Sequence, residues 1–261
     1  MQLHYKKYGE GESAPERPVL IILHGLFGSL ANWNTIAHRL ADRFTVYALD
    51  QRNHGLSPHS DHFDYPTLAL DVREFMQQTG IPQASLLGHS MGGKVAMEFA
   101  LSHSELTQKL VVADIGPGAY PARHDRVIAA LEAVDIVQVK SRQEADDRLA
   151  QMLPEPGLRQ FLLTNLRREA DGRYRWRINL AGIKKHYHCI AAGVTPGQFS
   201  KPALFIRGGK SDYIDDQALL LIKQFFPQAR IETIPEAGHW LHVDAQAVFI
   251  ELVSDFLKLS T

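Results

Sequence analysis

The sequence predicts an α/β fold in which a mostly parallel sheet is flanked by helices on both sides, with a helical segment inserted over one end. Three observations lead there. Short unbroken runs of Val, Ile, Leu and Ala recur along the chain, separated by amphipathic stretches of helical length. A strand apolar on both faces belongs inside a parallel sheet that is covered twice. A Gly-x-Ser-x-Gly, at 88–92, stands between one such run and a helical pattern, and from 117 to 196 the alternation of strand and helix patterns stops.

The elements follow in order. Val19–Leu23 reads as the first strand, and the loop His24-Gly25-Leu26-Phe27-Gly28-Ser29 follows it. An amphipathic stretch at 31–41 holds Trp33, expected to pack rather than bind; a strand at 44–49 and a helix at 66–79 come next. The run at 84–87 leads into Gly88-His89-Ser90-Met91-Gly92, and 93–100 has apolar residues at helical spacing with no breaker. A strand at 109–113 ends in Asp114-Ile115-Gly116-Pro117. Beyond it, 117–196 shows helical patterns, Pro154, Pro156 and the run Arg173-Tyr174-Arg175-Trp176-Arg177, but no convincing buried strand. Strands at 203–206 and 230–234 and helices at 214–226 and 244–258 complete the chain. The expected organisation is a core of 1–116 and 197–261, with 117–196 as a helical cap over the strands' C-terminal ends, where open α/β sheets bind ligands.

Composition narrows the function classes. With 261 residues, 45% of them hydrophobic, the chain can bury a large core. Its 28 basic and 29 acidic side chains give a net charge of −1 with no basic stripe, which argues against nucleic acid and membrane surfaces as partners. A single cysteine, Cys189, precludes an internal disulfide and fits a reducing compartment. Residues 1–7 lack the apolar stretch of a secretory signal, and no run of membrane-spanning length occurs, so a cytoplasmic location is expected. No Gly-rich phosphate or dinucleotide loop is present, so no cofactor is expected. His186-Tyr187-His188-Cys189 looks like a soft-metal cluster, but so short a group is usually incidental, and no metal is expected. Arg173, Arg175 and Arg177 read first as a solvated basic face and second as a lure for an anionic substrate group.

Chemistry concentrates at 88–92. A serine on a strained strand-to-helix turn needs small residues two places either side, and glycine fills both. The plain alternative, Ser90 as a helix cap, leaves the glycine pair unexplained. A serine hydroxyl needs a base, and the base an orienting acid. Among 13 histidines the best placed is His239, in Glu236-Ala237-Gly238-His239-Trp240 after the last strand. Two acids compete. Asp212 follows the strand at 203–206, but three residues past Gly208 lies Ser211, so Asp212 is one place out of a Gly-x-x-Asp register. Asp114 ends the strand beside that of Ser90 and is favoured, because a carboxylate there is costly to desolvate without a partner. Its bland alternative is a turn-forming carboxylate ahead of Gly116-Pro117. The N–H groups of Met91 and Leu26 are the expected oxyanion donors. Phe27, His89, Trp176 and Trp240 are the expected substrate contacts, with Phe161 a further wall candidate.

His-Gly-Leu-Phe-Gly-Ser, Asp50-Gln51-Arg52-Asn53-His54-Gly55-Leu56-Ser57, Gly-His-Ser-Met-Gly-Gly-Lys, Ala-Asp-Ile-Gly-Pro and Ala-Gly-His-Trp together resemble the α/β-hydrolase superfamily. Within it the chain is most similar to the YbfF-type bacterial serine esterases and their mammalian relatives. The resemblance runs through the whole core and reaches the cap at Trp176-Arg177-Ile178-Asn179-Leu180. It implies the α/β-hydrolase fold and a Ser/His/Asp carboxylesterase, with thioesters such as acyl-CoA as further substrates. It carries the acid to Asp114, and these relatives tend to have a non-acidic residue where Asp212 stands; this chain departs from them by having an aspartate there, which leaves the assignment between the two acids open. A lyase or carbon–carbon hydrolase of the menaquinone or aromatic-degradation type uses the same triad and is the alternative enzyme reading. A non-catalytic binding protein on the same scaffold is the alternative from another class. An aspartate at 90 would have pointed to a dehalogenase or epoxide hydrolase.

Overall fold

Strand residues face alternate sides of a sheet, and here both sides are apolar. Ile21 and Leu23 of β2 (Val19–Leu23) pack into one core, while Leu20 and Ile22 of the same strand pack into another. The computed structural model describes residues 1–9 and 17–258. Its main sheet has the order β1-β3-β2-β4-β5-β8-β9. The strands are β1 (Tyr5–Tyr8), β2, β3 (Thr45–Leu49), β4 (Ala84–His89), β5 (Thr107–Ala113), β8 (Ala203–Gly208) and β9 (Ala229–Ile234). All pair in parallel except β1, which runs antiparallel to β3 on the edge. The sequence reading missed β1. Its Lys6 and Lys7 hide any apolar run, and its burial is one-sided at best.

Helices α2 (Tyr65–Gln78), α3 (Met91–Ser102) and α9 (Asp216–Phe225) cover the first face. On the opposite face, α1 (Asn34–Leu40) and α11 (Gln246–Leu257) pack with Trp33 between them. Asp64 caps α2 by accepting a bond from the Thr67 N–H at 2.8 Å, and a proline follows the cap.

Between β5 and β8 lie α4 (Asp125–Ala133), α5 (Arg142–Ala150), α6 (Pro156–Leu163), α7 (Leu180–Lys185) and α8 (Tyr187–Ala191). A small hairpin, β6 (Leu166–Arg168) with β7 (Tyr174–Trp176), interrupts them. These strands are only three residues long and largely exposed, which is why no buried run announced them.

Every parallel crossover delivers its loop to the same edge of the sheet, and there the backbone is strained. Four non-glycine residues have positive φ among the described residues: Phe27 (60°), Asn53 (67°), Ser90 (53°) and Asp114 (52°). Each follows the C-terminal end of one of the neighbouring strands β2, β3, β4 and β5. No helix among the described residues is long and apolar enough to cross a membrane.

Candidate active site

β4 brings the chain to position 90 and α3 takes it away, with almost no space between them. A Cβ on Gly88 would lie 2.1 Å from the Gly92 carbonyl oxygen, and one on Gly92 would lie 2.3 Å from that of Leu23. Only glycine fits either place. Between them Ser90 takes φ 53°, ψ −120°, and although it stands at the N-terminus of α3 its side chain makes no capping bond. The hydroxyl instead faces a histidine.

His239 lies in the loop between β9 and α10 (Leu241–Asp244), with Nε2 3.0 Å from Ser90 Oγ. Its Nδ1 is 2.8 Å from Oδ2 of Asp114. Asp114 is fully buried and accepts two more bonds, from the Gly208 N–H to Oδ1 at 2.9 Å and from the Ser211 hydroxyl to Oδ2. An ionised carboxylate only accepts, so Nδ1 carries the proton and Nε2 offers its lone pair to Ser90. The rival acid goes elsewhere. Asp212 is 78% exposed and pairs with Arg123 at 2.5 Å, a bond that holds its carboxyl below the usual carboxylate range. Ser211, which occupies the Gly-x-x-Asp position, turns inward to Asp114.

Imidazoles crowd this corner. The His239 ring stacks on Tyr213 at 4.0 Å, and His89 Nε2 lies 2.8 Å from the His239 carbonyl oxygen. The His89 ring is 4.5 Å from that of His242, which stacks on Trp33 at 4.6 Å. Burial pulls His24 and His124 down to about 4, His54 and His242 to about 3, and His89 well below the free value. These rings are therefore uncharged near neutral pH, and none of them opposes a cation on His239.

The loop after β2 closes a turn, with the Gly28 N–H bonded to the Gly25 carbonyl at 3.0 Å. Leu26 is the second residue of that turn, where the N–H is not used to close it. Met91 is the first residue of α3, so its N–H has no partner within the helix. Two buried histidines shape the loop. His54 Nε2 accepts the Phe27 N–H at 3.1 Å, while His24 Nδ1 is 2.8 Å from the Gly25 carbonyl oxygen. The bond to Phe27 gives the Arg52-x-His54-Gly55 motif a site-shaping role. The signal was a histidine beside a glycine after a strand.

Ser90 stands where two small cavities meet. The first, about 60 Å³, is lined by Phe27, His89, His239 and Trp240 together with Val127, Leu158 and Phe161 from the β5–β8 segment. The second, about 40 Å³, is lined by Leu26, Met91 and Lys94 and by Tyr120, Tyr187 and Ile190 of that segment. Phe27, His89 and Trp240 thus line a cavity at Ser90. Trp176 does not. It packs half-buried on β7 and opens onto a separate hollow with Leu56, Arg175 and Arg177. Leu158 and Phe161 of α6 form the wall expected from it, and the Phe161 ring lies 5.8 Å from that of Trp240. The basic run stays outside both cavities, with Arg173 3.8 Å from Asp171. Cys189 contacts His188 at 3.3 Å, and no group of three or more metal-ligating side chains occurs among the described residues.

A family profile for the α/β hydrolase fold matches residues 18–137. The sn-1-specific diacylglycerol lipase ABHD11 of Mus musculus is 41% identical over 249 residues, covering 92% of this chain and 81% of its own. Esterase YbfF of Escherichia coli K12 is 36% identical, with 92% of each chain covered. This chain is an α/β hydrolase. A solved structure titled "Marine microorganism esterase" superposes on the hydrolase with a TM-score of 0.94 at 44% identity, over 98% of this chain and 99% of that one. Lipases and esterases among its relatives make the hydrolase an enzyme of hydrolysis.

Proposed function

We propose that the hydrolase cleaves carboxylic esters through an acyl-enzyme on Ser90, with thioesters as a secondary class. One observation carries the reading: the unbroken relay from Ser90 Oγ through His239 to the buried Asp114, at 3.0 and 2.8 Å. His239 Nε2 takes the serine proton as Oγ attacks the acyl carbon, and the Leu26 and Met91 N–H groups meet the developing oxyanion. Asp114 holds the ring and stabilises the imidazolium. That imidazolium then protonates the leaving oxygen, the alcohol departs, and water enters by the same steps to release the acid.

The leaving oxygen must turn toward His239 to collect its proton. In this reading the alcohol therefore occupies the first cavity, which His239 lines, and the acyl chain occupies the second, beside Leu26 and Met91. Residues 117–196 act as the cap that closes both.

The test is a p-nitrophenyl ester series from acetate to palmitate, with acyl-CoAs alongside, on wild type and Ser90→Ala. Ester turnover is expected in the wild type and a loss of roughly 10⁴-fold or more in kcat in the variant, at an unchanged melting temperature. A folded Ser90→Ala protein retaining a tenth of the activity would remove Ser90 as nucleophile.

A further inference from the structure

The helix that begins at Ser90 carries a second set of polar groups on the same stripe, four and eight residues on: Lys94 and Glu98. Both are buried, Lys94 to 1% exposure. The Lys94 ammonium makes no ion pair among the described residues. It donates instead to two carbonyls, those of Gly118 and Ala192, each at 2.5 Å. These lie at opposite roots of the β5–β8 segment: Gly118 where the chain leaves the core and Ala192 where it returns. Glu98 adds a tie by accepting the Thr195 N–H at 2.7 Å, and Tyr65 of α2 donates to the Ile190 carbonyl at 2.5 Å. The roots are also bonded to each other, Tyr120 N–H to Ala191 O at 2.8 Å and Val194 N–H to Pro117 O at 2.9 Å.

A lysine buried without a counter-ion is expensive, and an apolar side chain of similar length would pack there at less cost. What an apolar residue lacks is a pair of donors long enough to reach both roots at once. From this geometry we infer that Lys94 is a positioning residue, a clasp that holds both roots of the cap against the nucleophile helix and so fixes the wall of the second cavity. Lys94 lines that cavity with Ser90 and Met91, and the rings of Tyr65 and Tyr120 flank its ammonium at 5.4 and 4.8 Å. Burial pulls the amine down to about 7. Even the neutral amine keeps two hydrogens, one for each carbonyl, so the clasp holds on both sides of its titration.

The inference sharpens the proposed function, because it assigns Lys94 to the acyl side only. The first cavity is walled by α4 and α6 and does not include Lys94. Lys94→Met keeps length and volume while leaving two carbonyls without donors. Two series separate the cavities: acyl chain varied at constant alcohol, and alcohol varied at constant acetyl. Lys94→Met should shift acyl-chain discrimination by about tenfold through KM and move discrimination in the alcohol series by much less. Hydrogen exchange of Ser90→Ala with and without Lys94→Met gives a readout independent of turnover: the amides of Tyr120 and Val194 should exchange faster in the double variant. Should Lys94→Met fail to fold, Tyr65→Phe, which cuts one tie to the return root, should produce a smaller shift of the same kind. Unchanged exchange at both roots, or equal changes in the acyl and alcohol series, would overturn the clasp. A wild-type protein inert toward all esters would sink the proposed function, and the exchange measurement would still decide the clasp.

Discussion

Asp114→Asn puts the relay to its sharpest test. Three donors converge on the two oxygens of Asp114: Gly208 N–H on Oδ1, with Ser211 O–H and His239 Nδ1–H on Oδ2. An asparagine has one oxygen and one amide nitrogen. The Gly208 N–H belongs to the backbone at the end of β8 and cannot turn away, so it claims the oxygen and leaves the NH₂ facing His239. Nδ1 must then accept, the ring proton moves to Nε2, and the lone pair that should receive the Ser90 proton is gone. The expected loss in kcat is about 10⁴-fold, or about 5.5 kcal/mol of barrier, with little change in KM. Asp212→Asn removes only an exposed ion pair with Arg123, whose worth is at most about 1 kcal/mol of stability, and activity should survive. Because the Ser211 hydroxyl reaches the same Oδ2 as His239, Ser211→Asp added to Asp114→Asn should restore about tenfold or more. Steady-state kinetics at matched melting temperature decides the matter. Asp212→Asn proving the more damaging change, or Asp114→Asn keeping a tenth of wild-type kcat, would refute the reasoning.

Acid should unfold this protein early. His24, His54 and His242 are buried with folded values of about 4, 3 and 3, so the unfolded chain binds protons near 6.5 that the native state refuses. Stability is therefore full above about pH 6.5 and falls as pH drops toward those folded values; at pH 5 each group costs about 2 kcal/mol, a large share of a typical 5–15. Thermal midpoints from pH 8 to 5 should show the fall, and a flat profile would contradict neutral burial. Phe161→Ala should widen the first cavity and change selectivity for the alcohol group about tenfold, whereas Trp176→Ala should leave both selectivity profiles unchanged in the same ester series. Gly92→Ala drives a Cβ to 2.3 Å from the Leu23 carbonyl oxygen and should cost more than about 4 kcal/mol, measured by denaturant unfolding.

Much of the core was legible because burial on both faces leaves an unmistakable pattern. β2, β4, β5 and β8 came from largely apolar runs, β3 from the mixed run Thr45–Leu49, and the edge strand β9 from Ile231 and Ile234 set among Arg230, Glu232 and Thr233. β1 escaped because an edge strand with one neighbour tolerates Lys6 and Lys7. Ser90, His239 and Asp114 were legible by position, and the structure brings the three together. The register at Ser211 and Asp212 was ambiguous because one residue decides whether a side chain enters or leaves the site. Trp176 was misplaced for a different reason. A large apolar residue announces that it packs, but not against what, and the hairpin that carries it had no signature in the pattern. Lys94 gave no signal as a clasp, since its partners are backbone carbonyls, which every residue has.

The left-handed backbone at the ends of four neighbouring strands sets evolution two opposed tasks. Strain of this kind stores roughly 1–3 kcal/mol at each position. At Asn53, Phe27 and Asp114 the side chain or its packing repays the strain, through bonds to Ser60, burial in the core, or the contacts of the acid. Ser90 makes no such return: its hydroxyl serves only His239. Glycine there would relax the turn, so Ser90→Gly should melt higher than wild type, by about 1 kcal/mol of added stability, while hydrolysing nothing. A library screened for heat resistance alone would drift toward that inert glycine. On the proposed mechanism, selection for turnover would hold a serine at one of the four left-handed non-glycine positions among the described residues, where glycine would be more relaxed.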